Sequence, residues 1–205
     1  MLERRTLVDR LLRHRPDNAL TVSSLGSPTW DIASTGDNPL HFGFIGAMGQ
    51  AAPFALGLAM AEPNKRVVLF AGDGELLMSL GILATIANKA PANLAIVSLD
   101  NESYGETGGQ STATAGPTDL EAVAKACGFS QTCTATSEEA LDAVCDQVWT
   151  AKGPAFINLK IVCGPSPLVF PHSFDGATAM NRFRDAINKL GQTQGSYGRS
   201  NESEI

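Results

Sequence analysis

The sequence predicts an α/β fold built on a doubly wound, mostly parallel sheet. Two apolar runs, residues 67–71 and 94–99, have the length of strands buried on both faces, as in parallel sheets. A stretch of helical period lies between them, and segments of strand and helix character alternate along the rest of the chain with short connections. The 205 residues suffice for one sizeable hydrophobic core.

The first third of the chain gives weaker signals than the middle. Apolar residues between positions 7 and 12 recur at helical spacing among arginines, which predicts an amphipathic basic helix docked on the domain or on a partner. A short strand is predicted at residues 19–23, and glycines and a proline indicate a connection over residues 26–36. Dense glycines and alanines then lead into a helix at residues 50–61, where they serve either tight packing or the close approach of a cofactor.

The remaining elements follow from apolar runs, helical period and turn residues. The glycine-rich stretch at residues 102–117 has no hydrophobic period and is predicted to be a functional loop. Thr118 or Asp119 can cap the helix that Gly128 ends, and Ser137 can cap the next one. Helices are predicted at residues 76–89, up to 127, 137–151 and 177–190, strands at 131–135 and 154–162, and a proline-rich crossing at 163–175.

The chain shows no internal repeat and no second core. Residues 1–190 are therefore predicted to form a single domain. Residues 191–205 are polar without an apolar period, which predicts a flexible C-terminal tail.

Composition and charge exclude several classes of protein. Hydrophobic residues make up 43% and charged residues 18%, which is a globular composition. The net charge of −6 argues against a nucleic-acid partner, and no apolar run is long enough to span a membrane. None of the four cysteines forms a C-x-x-C pair, so we expect no zinc or iron–sulfur site and reduced thiols in a cytoplasmic protein; they are Cys127, Cys133, Cys145 and Cys163.

The chemistry is predicted where the two clearest strands end. The turn Gly72-Asp73-Gly74 follows the first strand and Asp100-Asn101 ends the second, with 25 residues between Gly74 and Asp100. Neighbouring parallel strands bring such residues to one point, where open α/β sheets bind ligands. A carboxylate and an amide beside a helix N-terminus suit a divalent cation and a phosphate.

The predicted cation ligands are the Asp73 carboxylate, the Asn101 amide oxygen and a backbone carbonyl, that of Ser103. Backbone N–H groups around Gly74 and Glu75 would meet the phosphates, and the Glu75 side chain is expected to point away from them. The alternative is that Asp73 only caps the following helix.

This pattern resembles the motif of thiamine diphosphate enzymes, whose last element is commonly Asn-Asn. The resemblance implies a thiamine diphosphate-binding (PP-type) domain with Mg²⁺, and Asn101 matches the ligand position. Upstream, the segment at residues 46–49 resembles the one in which a glycine carbonyl bonds the aminopyrimidine and an apolar side chain bends the cofactor. Those roles fall on Gly46 and Met48, although Met48 could be a core residue. The implied cofactor-binding residues are Gly46, Met48, Gly72, Asp73, Gly74, Glu75, Asn101, Ser103, Tyr104 and Gly105.

Two further segments, residues 104–110 and 174–184, resemble phosphonopyruvate and sulfopyruvate decarboxylases. The resemblance implies decarboxylation of a small anionic 2-oxoacid. The T-G-G-Q sequence also resembles β subunits of 2-oxoacid:ferredoxin oxidoreductases, but those typically carry cysteine ligands for a cluster. An acetolactate synthase-like enzyme and a non-catalytic cofactor-binding subunit remain as alternatives.

The resemblance also implies a partner chain. Family members need a pyrimidine-binding domain whose glutamate protonates the cofactor, and this chain has room only for the diphosphate-binding one. The glutamates Glu3, Glu62 and Glu75 have no matching context. We therefore expect an α subunit that supplies the glutamate, in a hetero-oligomer with at least two copies of each chain.

One histidine is a candidate catalytic residue. His41 lies just upstream of the glycine-rich segment and could reach the site as a proton carrier, although a lone histidine is more often a packing or surface residue. His14 and His172 have no such argument. A sulfonate or phosphonate tail would need cations or backbone N–H groups, which the loop at residues 105–110 could offer.

Overall fold

A six-stranded parallel sheet forms the centre of the structure. This computed structural model describes residues 2–162, 164 and 166–197. The strand order is β2-β1-β3-β4-β8-β7, all neighbours are parallel, and β5 and β6 form a separate antiparallel hairpin. The strands are β1 Leu20–Ser23, β2 His41–Gly43, β3 Val67–Gly72, β4 Leu94–Asp100, β5 Ser103–Tyr104, β6 Gln110–Ser111, β7 Gln131–Ala135 and β8 Ala155–Lys160.

Helices cover both faces of this sheet, as the predicted doubly wound architecture requires. Alternate residues of β3 enter two separate hydrophobic clusters: Val67 and Leu69 enter one, and Val68 and Phe70 enter the other. Helices α3, α5, α6 and α8 contribute to the first cluster, and α1, α2 and α7 to the second. The helices are α1 Arg4–Arg13, α2 Ser27–Ser34, α3 Ala51–Ala61, α4 Asp73–Met78, α5 Ile82–Lys89, α6 Leu120–Cys127, α7 Glu138–Thr150 and α8 Gly176–Tyr197.

The five predicted strands are confirmed to within two residues at each end. The predicted caps are confirmed as well. Asp119 accepts a hydrogen bond from the Ala122 N–H, Ser137 accepts one from the Ala140 N–H, and Gly128 ends α6 in the left-handed region.

Helix α2, edge strand β2 and the β5–β6 hairpin were not predicted. Helix α2 begins directly after Gly26, whose φ is +77°, and Pro28 lies in its first turn. A proline is tolerated there because the first helical N–H groups have no partner within the helix. Residues that predicted a connection therefore mark a helix N-terminus.

The prediction of one continuous helix over residues 76–89 is wrong, because two helices cover this stretch. Helix α4 begins earlier, at Asp73, and ends at Met78, and α5 begins at Ile82. The apolar period runs through the break, so periodicity alone could not reveal it. At the C-terminus, α8 extends to Tyr197 beyond the predicted end at 190; the rest of the predicted tail, residues 198–205, and Cys163 lie outside the described residues.

The N-terminal segment is docked on the domain. Leu2 forms a parallel bridge with Ile161 beyond the end of β8, and Leu7, Val8 and Leu11 of α1 are buried. The Trp149 indole N–H donates to the Leu11 carbonyl oxygen at 2.9 Å. This docking holds the first residues of α1 at the carboxyl ends of the strands. In the part of the chain that is described, no helix combines the length and apolar character needed to cross a bilayer.

Candidate functional site

A cleft of about 570 Å³ lies at the carboxyl ends of the strands. Strands β3 and β4 are neighbours in register, with Gly72 opposite Leu99, so their ends meet at this cleft. Asp73 and Asn101 both line it. The predicted meeting of these two side chains at one edge of the sheet is therefore confirmed.

The Asp73 side chain is nearly inaccessible, with 1% of the residue exposed, and only one of its oxygens is engaged. Its Oδ2 atom accepts hydrogen bonds from the hydroxyls of Thr112 and Thr114, the latter at 2.9 Å. Its Oδ1 atom accepts none from any other described residue. Asp73 is the first residue of α4 and its side chain does not cap that helix, so the alternative of a simple cap is wrong. Burial raises the pKa of Asp73, and the charge of Asp100 adds to the rise.

A second buried carboxylate, Asp100, lies beside Asp73. The Thr114 hydroxyl is 2.8 Å from Asp100 Oδ1, so this one hydroxyl stands between the two acids. A hydroxyl has a single proton and can donate to only one of them at a time. Lys160, opposite Asp100 on β8, places its Nζ atom 2.8 Å from Asp100 Oδ2 and also 2.8 Å from a carboxylate oxygen of Glu102.

Sequence reasoning missed the side chains that support these acids. Thr112 and Thr114 belong to the stretch predicted as an irregular loop, and Lys160 ends a strand 60 residues after Asp100. The Asn158 amide donates to Asp100 Oδ2 at 3.3 Å from the same strand. The β5–β6 hairpin brings in the threonines and the register of β8 brings in Asn158 and Lys160, so no local pattern could have identified them.

Asn101 and Ser103 form a local turn. The Asn101 side-chain oxygen accepts a hydrogen bond from the Ser103 N–H at 3.1 Å, and Glu102 between them has a φ of +59°. Such a turn fixes the amide oxygen beside its own backbone. The Ser103 hydroxyl is buried without a partner among the described residues, which leaves a polar group directed at the same region.

These oxygen atoms fit a hard cation. One free carboxylate oxygen of Asp73 and a neutral amide oxygen of Asn101 are ligands that Mg²⁺ accepts, and Mg²⁺ usually completes its shell with phosphate oxygens and water. Within the described ranges no group of three histidine, cysteine or acidic side chains could hold a metal. A cation here would therefore depend on one carboxylate, neutral oxygens and its ligand.

Nine of the ten predicted cofactor-binding residues line the cleft, and Gly46 does not. Gly74 lies against the Tyr104 ring, where an added Cβ would come within 2.4 Å of a ring carbon. Met48 is 39% exposed, so the alternative of a core methionine is wrong. The nine are Met48, Gly72, Asp73, Gly74, Glu75, Asn101, Ser103, Tyr104 and Gly105.

The Glu75 carboxylate is directed at the N-terminus of α3. Its Oε1 atom accepts a hydrogen bond from the Ala51 N–H at 3.1 Å, and only 5% of the residue is exposed. A negative charge is favourable at that end of a helix. Glu75 nevertheless lines the cleft, and its Oε2 atom is buried without a partner among the described residues. The prediction that the Glu75 side chain points away from the ligand therefore holds for its Oε1 atom only.

His41 does not line this cleft. It lies on edge strand β2 and lines a separate cavity of about 190 Å³. Its ring nitrogens are 3.0 Å from the Thr21 hydroxyl and 3.2 Å from the Ser23 hydroxyl. Burial and the nearby charge of Arg15 lower the pKa of His41 to about 3. These contacts favour a structural role, and the catalytic role stays a prediction.

This environment of His41 predicts a specific dependence of stability on pH. In the unfolded chain the His41 side chain has a pKa of about 6.5, whereas in the folded chain its pKa is about 3, so it stays neutral over that range. His41 therefore lowers the free energy of unfolding as the pH falls below its unfolded pKa. In His41→Asn, the loss of stability between about pH 7 and about pH 5, measured by urea denaturation, should be smaller by about 2 kcal/mol.

The matched control for this measurement is His14→Asn, because His14 is exposed at the end of α1. It should show the same pH dependence as the unmodified chain. A pH dependence in His41→Asn equal to that of the control would contradict a neutral, buried His41.

Comparison with known proteins identifies the family. Residues 28–159 match the family described as "Thiamine pyrophosphate enzyme, C-terminal TPP binding domain", and the chain belongs to this family. The fold agrees, because a solved structure of benzoylformate decarboxylase from Polynucleobacter necessarius superimposes with a TM-score of 0.69 at 22% identity. That likeness covers 82% of this chain and 34% of the other.

Two curated relatives are more similar in sequence. The chain is 41% identical over 157 residues to phosphonopyruvate decarboxylase from Streptomyces viridochromogenes, covering 75% of this chain but only 38% of that protein. It is 39% identical over 164 residues to sulfopyruvate decarboxylase subunit beta from Methanothermobacter thermautotrophicus, covering 80% of this chain and 84% of the relative. The chain thus spans well under half of the first relative and most of the second.

Proposed function

We propose that this chain is the diphosphate-binding subunit of a two-subunit, thiamine diphosphate-dependent 2-oxoacid decarboxylase. The substrate is sulfopyruvate, converted to sulfoacetaldehyde and carbon dioxide, or phosphonopyruvate. The observation that carries the proposal is the free carboxylate oxygen of buried Asp73 beside Asn101, in a cleft of a chain that belongs to the thiamine pyrophosphate family. The names of two relatives, a phosphonopyruvate and a sulfopyruvate decarboxylase, support the choice of reaction.

Different groups of this chain would hold the cation and the diphosphate of the cofactor. Asp73, Asn101 and the backbone carbonyl of Ser103 would hold Mg²⁺, and N–H groups of Gly74 and Glu75 would bind the diphosphate. Bound thiamine diphosphate would supply an electron sink for the electron pair that remains when carbon dioxide leaves. Asp73 would anchor the cofactor through the cation and would take no part in the bond breaking itself.

Met48 has the exposure needed for a contact with the cofactor. It lines the cleft with 39% of its surface free, from a segment in which Ala47 has a φ of +59°. A bulky apolar side chain held there would pack against the cofactor and could favour its bent shape, as the family resemblance implies. The role of the Gly46 carbonyl rests on the resemblance alone, because Gly46 lies outside the lining of the cleft.

The activating glutamate must come from another chain in this proposal. Among the described residues that line the cleft, the glutamates are Glu75 and Glu106. Glu75 accepts from the Ala51 N–H, and Glu106 accepts from the Ser27 hydroxyl at 2.9 Å. Several relatives are named "subunit beta", which supports an α subunit. We place the assembly in the cytoplasm, with at least two copies of each chain.

Product analysis with the α subunit tests this function. The complex, supplied with Mg²⁺ and thiamine diphosphate, should release carbon dioxide and an aldehyde from sulfopyruvate or phosphonopyruvate, and much less from pyruvate. Acetolactate from pyruvate, or reduction of ferredoxin, would place the chain with the alternative enzymes. Cofactor binding without any product would indicate a non-catalytic subunit.

The substitution Asp73→Asn should weaken cofactor binding and raise the stability of the metal-free chain. The loss of the charge should weaken Mg²⁺-dependent binding of thiamine diphosphate by at least about tenfold in calorimetry, because the cation loses its only carboxylate. Burial raises the pKa of Asp73, so the ionised side chain costs stability above that pKa. The metal-free variant should therefore unfold at a higher urea concentration at neutral pH, and this gain should vanish below about pH 4.

Asp146→Asn is the control, since Asp146 is exposed on α7. It should change neither cofactor affinity nor stability by more than about 0.5 kcal/mol. Unchanged thiamine diphosphate affinity in Asp73→Asn would refute the anchoring role of Asp73.

A further inference from the structure

We infer that Arg4 binds a tetrahedral oxyanion in the cleft, either the cofactor's terminal phosphate or the sulfonate or phosphonate tail of the substrate. This inference rests on the proposed function, because that function brings both anions to the cleft. It names the source of the positive charge that an anionic substrate or cofactor needs from this chain.

Arg4 is buried but lies at the boundary of two cavities. Only 7% of the residue is exposed, yet it lines both the 570 Å³ cleft and a neighbouring cavity of about 510 Å³. Asn101, a proposed Mg²⁺ ligand, lines the same two cavities. An anion bound to Arg4 would therefore lie close to the proposed cation site.

Only one nitrogen of the Arg4 guanidinium group has a hydrogen-bond partner among the described residues. Its Nε atom donates to Asp31 Oδ2, whereas neither terminal nitrogen has a hydrogen-bond partner in the described part of the chain. The two terminal nitrogens of an arginine form a planar fork that matches two oxygens of a phosphate or sulfonate.

Arg4 shares its carboxylate partner with a second arginine. Asp31 is fully buried and serves two arginines, since the Arg5 Nε atom donates to Asp31 Oδ1 at 3.0 Å. Arg5 uses a terminal nitrogen to donate to the Pro167 carbonyl oxygen at 2.6 Å. Two arginines thus share the single buried carboxylate of Asp31, and a bound anion would add to the compensation of their charge.

Arg4 is also the single cation among the described residues that line the cleft. The other charged residues of the lining are the carboxylates Asp73, Glu75 and Glu106. Lys160 does not line the cleft, and its amino group is held between Asp100 and Glu102. A cleft with three carboxylates repels an anion unless a cation offsets them, and within this chain Arg4 occupies that position.

The test compares Arg4→Gln and Arg4→Lys with Arg5→Gln in the complex with the α subunit. Arg5 shares Asp31 but does not line the 570 Å³ cleft, so Arg5→Gln controls for the loss of an ion pair to that aspartate. Calorimetry would measure the affinity for thiamine diphosphate at saturating Mg²⁺. On the loaded complex it would then measure the affinity for 3-sulfopropionate, an unreactive sulfonate, with propionate as the tail-free reference.

We expect Arg4→Gln to weaken one of these two affinities by about tenfold or more, and Arg4→Lys to weaken it less, because lysine keeps the charge without the fork. A loss confined to thiamine diphosphate identifies the cofactor's phosphate as the anion. A loss confined to 3-sulfopropionate identifies the substrate tail. Arg5→Gln should leave both affinities within about twofold of the unmodified complex.

Unchanged affinity for both anions in Arg4→Gln would overturn the inference, as would equal losses in Arg4→Gln and Arg5→Gln. If Arg4→Gln fails to fold, Arg4→Lys decides the question by the same criteria. Failure of the proposed function gives a different result: the unmodified complex would then show no Mg²⁺-dependent binding of thiamine diphosphate.

Discussion

Two buried carboxylates, Asp73 and Asp100, lie at the ends of neighbouring strands. The site depends on the fact that the protein compensates the charge of only one of them. Asp73 and Asp100 share the Thr114 hydroxyl, and each is only 1% exposed. Lys160, opposite Asp100 in the sheet, compensates the charge of that aspartate. Asp73 has no cationic partner among the described residues, and one of its oxygens is left without a hydrogen bond. Of these two aspartates, Asp73 is therefore the one left uncompensated at the cleft, where a divalent cation could neutralise it.

The same edge of the sheet collects groups from distant parts of the chain. The bridge between Leu2 and Ile161 brings the start of α1 beside the ends of β4 and β8, and with it the Arg4–Asp31–Arg5 cluster. The lining of the cleft therefore includes both the carboxylate of Asp73 and the guanidinium group of Arg4. A magnesium diphosphate carries both signs of charge, and this arrangement is complementary to it. The two glutamates of the described lining, Glu75 and Glu106, each accept a hydrogen bond from this chain, in keeping with an activating glutamate from the proposed α subunit.

The sequence predicted the parts of the fold and site that have local signatures. Strands β3 and β4 are apolar runs that end in polar turns, so the sequence alone predicted that Asp73 and Asn101 lie close together. Helix α2 could not be predicted, because Pro28 suits a helix start as well as a loop. Thr114 and Lys160 reach Asp100 only through the hairpin and the register of β8. The arginines of α1 predicted a basic helix surface, whereas the fold buries Arg4 against Asp31.

The central claim is that Asp73, Asn101 and the Ser103 backbone hold the cation that anchors the diphosphate. The most direct measurement is the position of Mn²⁺, substituted for Mg²⁺, from anomalous scattering by crystals of the complex with thiamine diphosphate. We predict one peak at about 2.0–2.3 Å from an Asp73 carboxylate oxygen, the Asn101 amide oxygen and the Ser103 carbonyl oxygen. A peak bound elsewhere, or bound to the diphosphate with Asp73 held only by its threonines, would contradict the account.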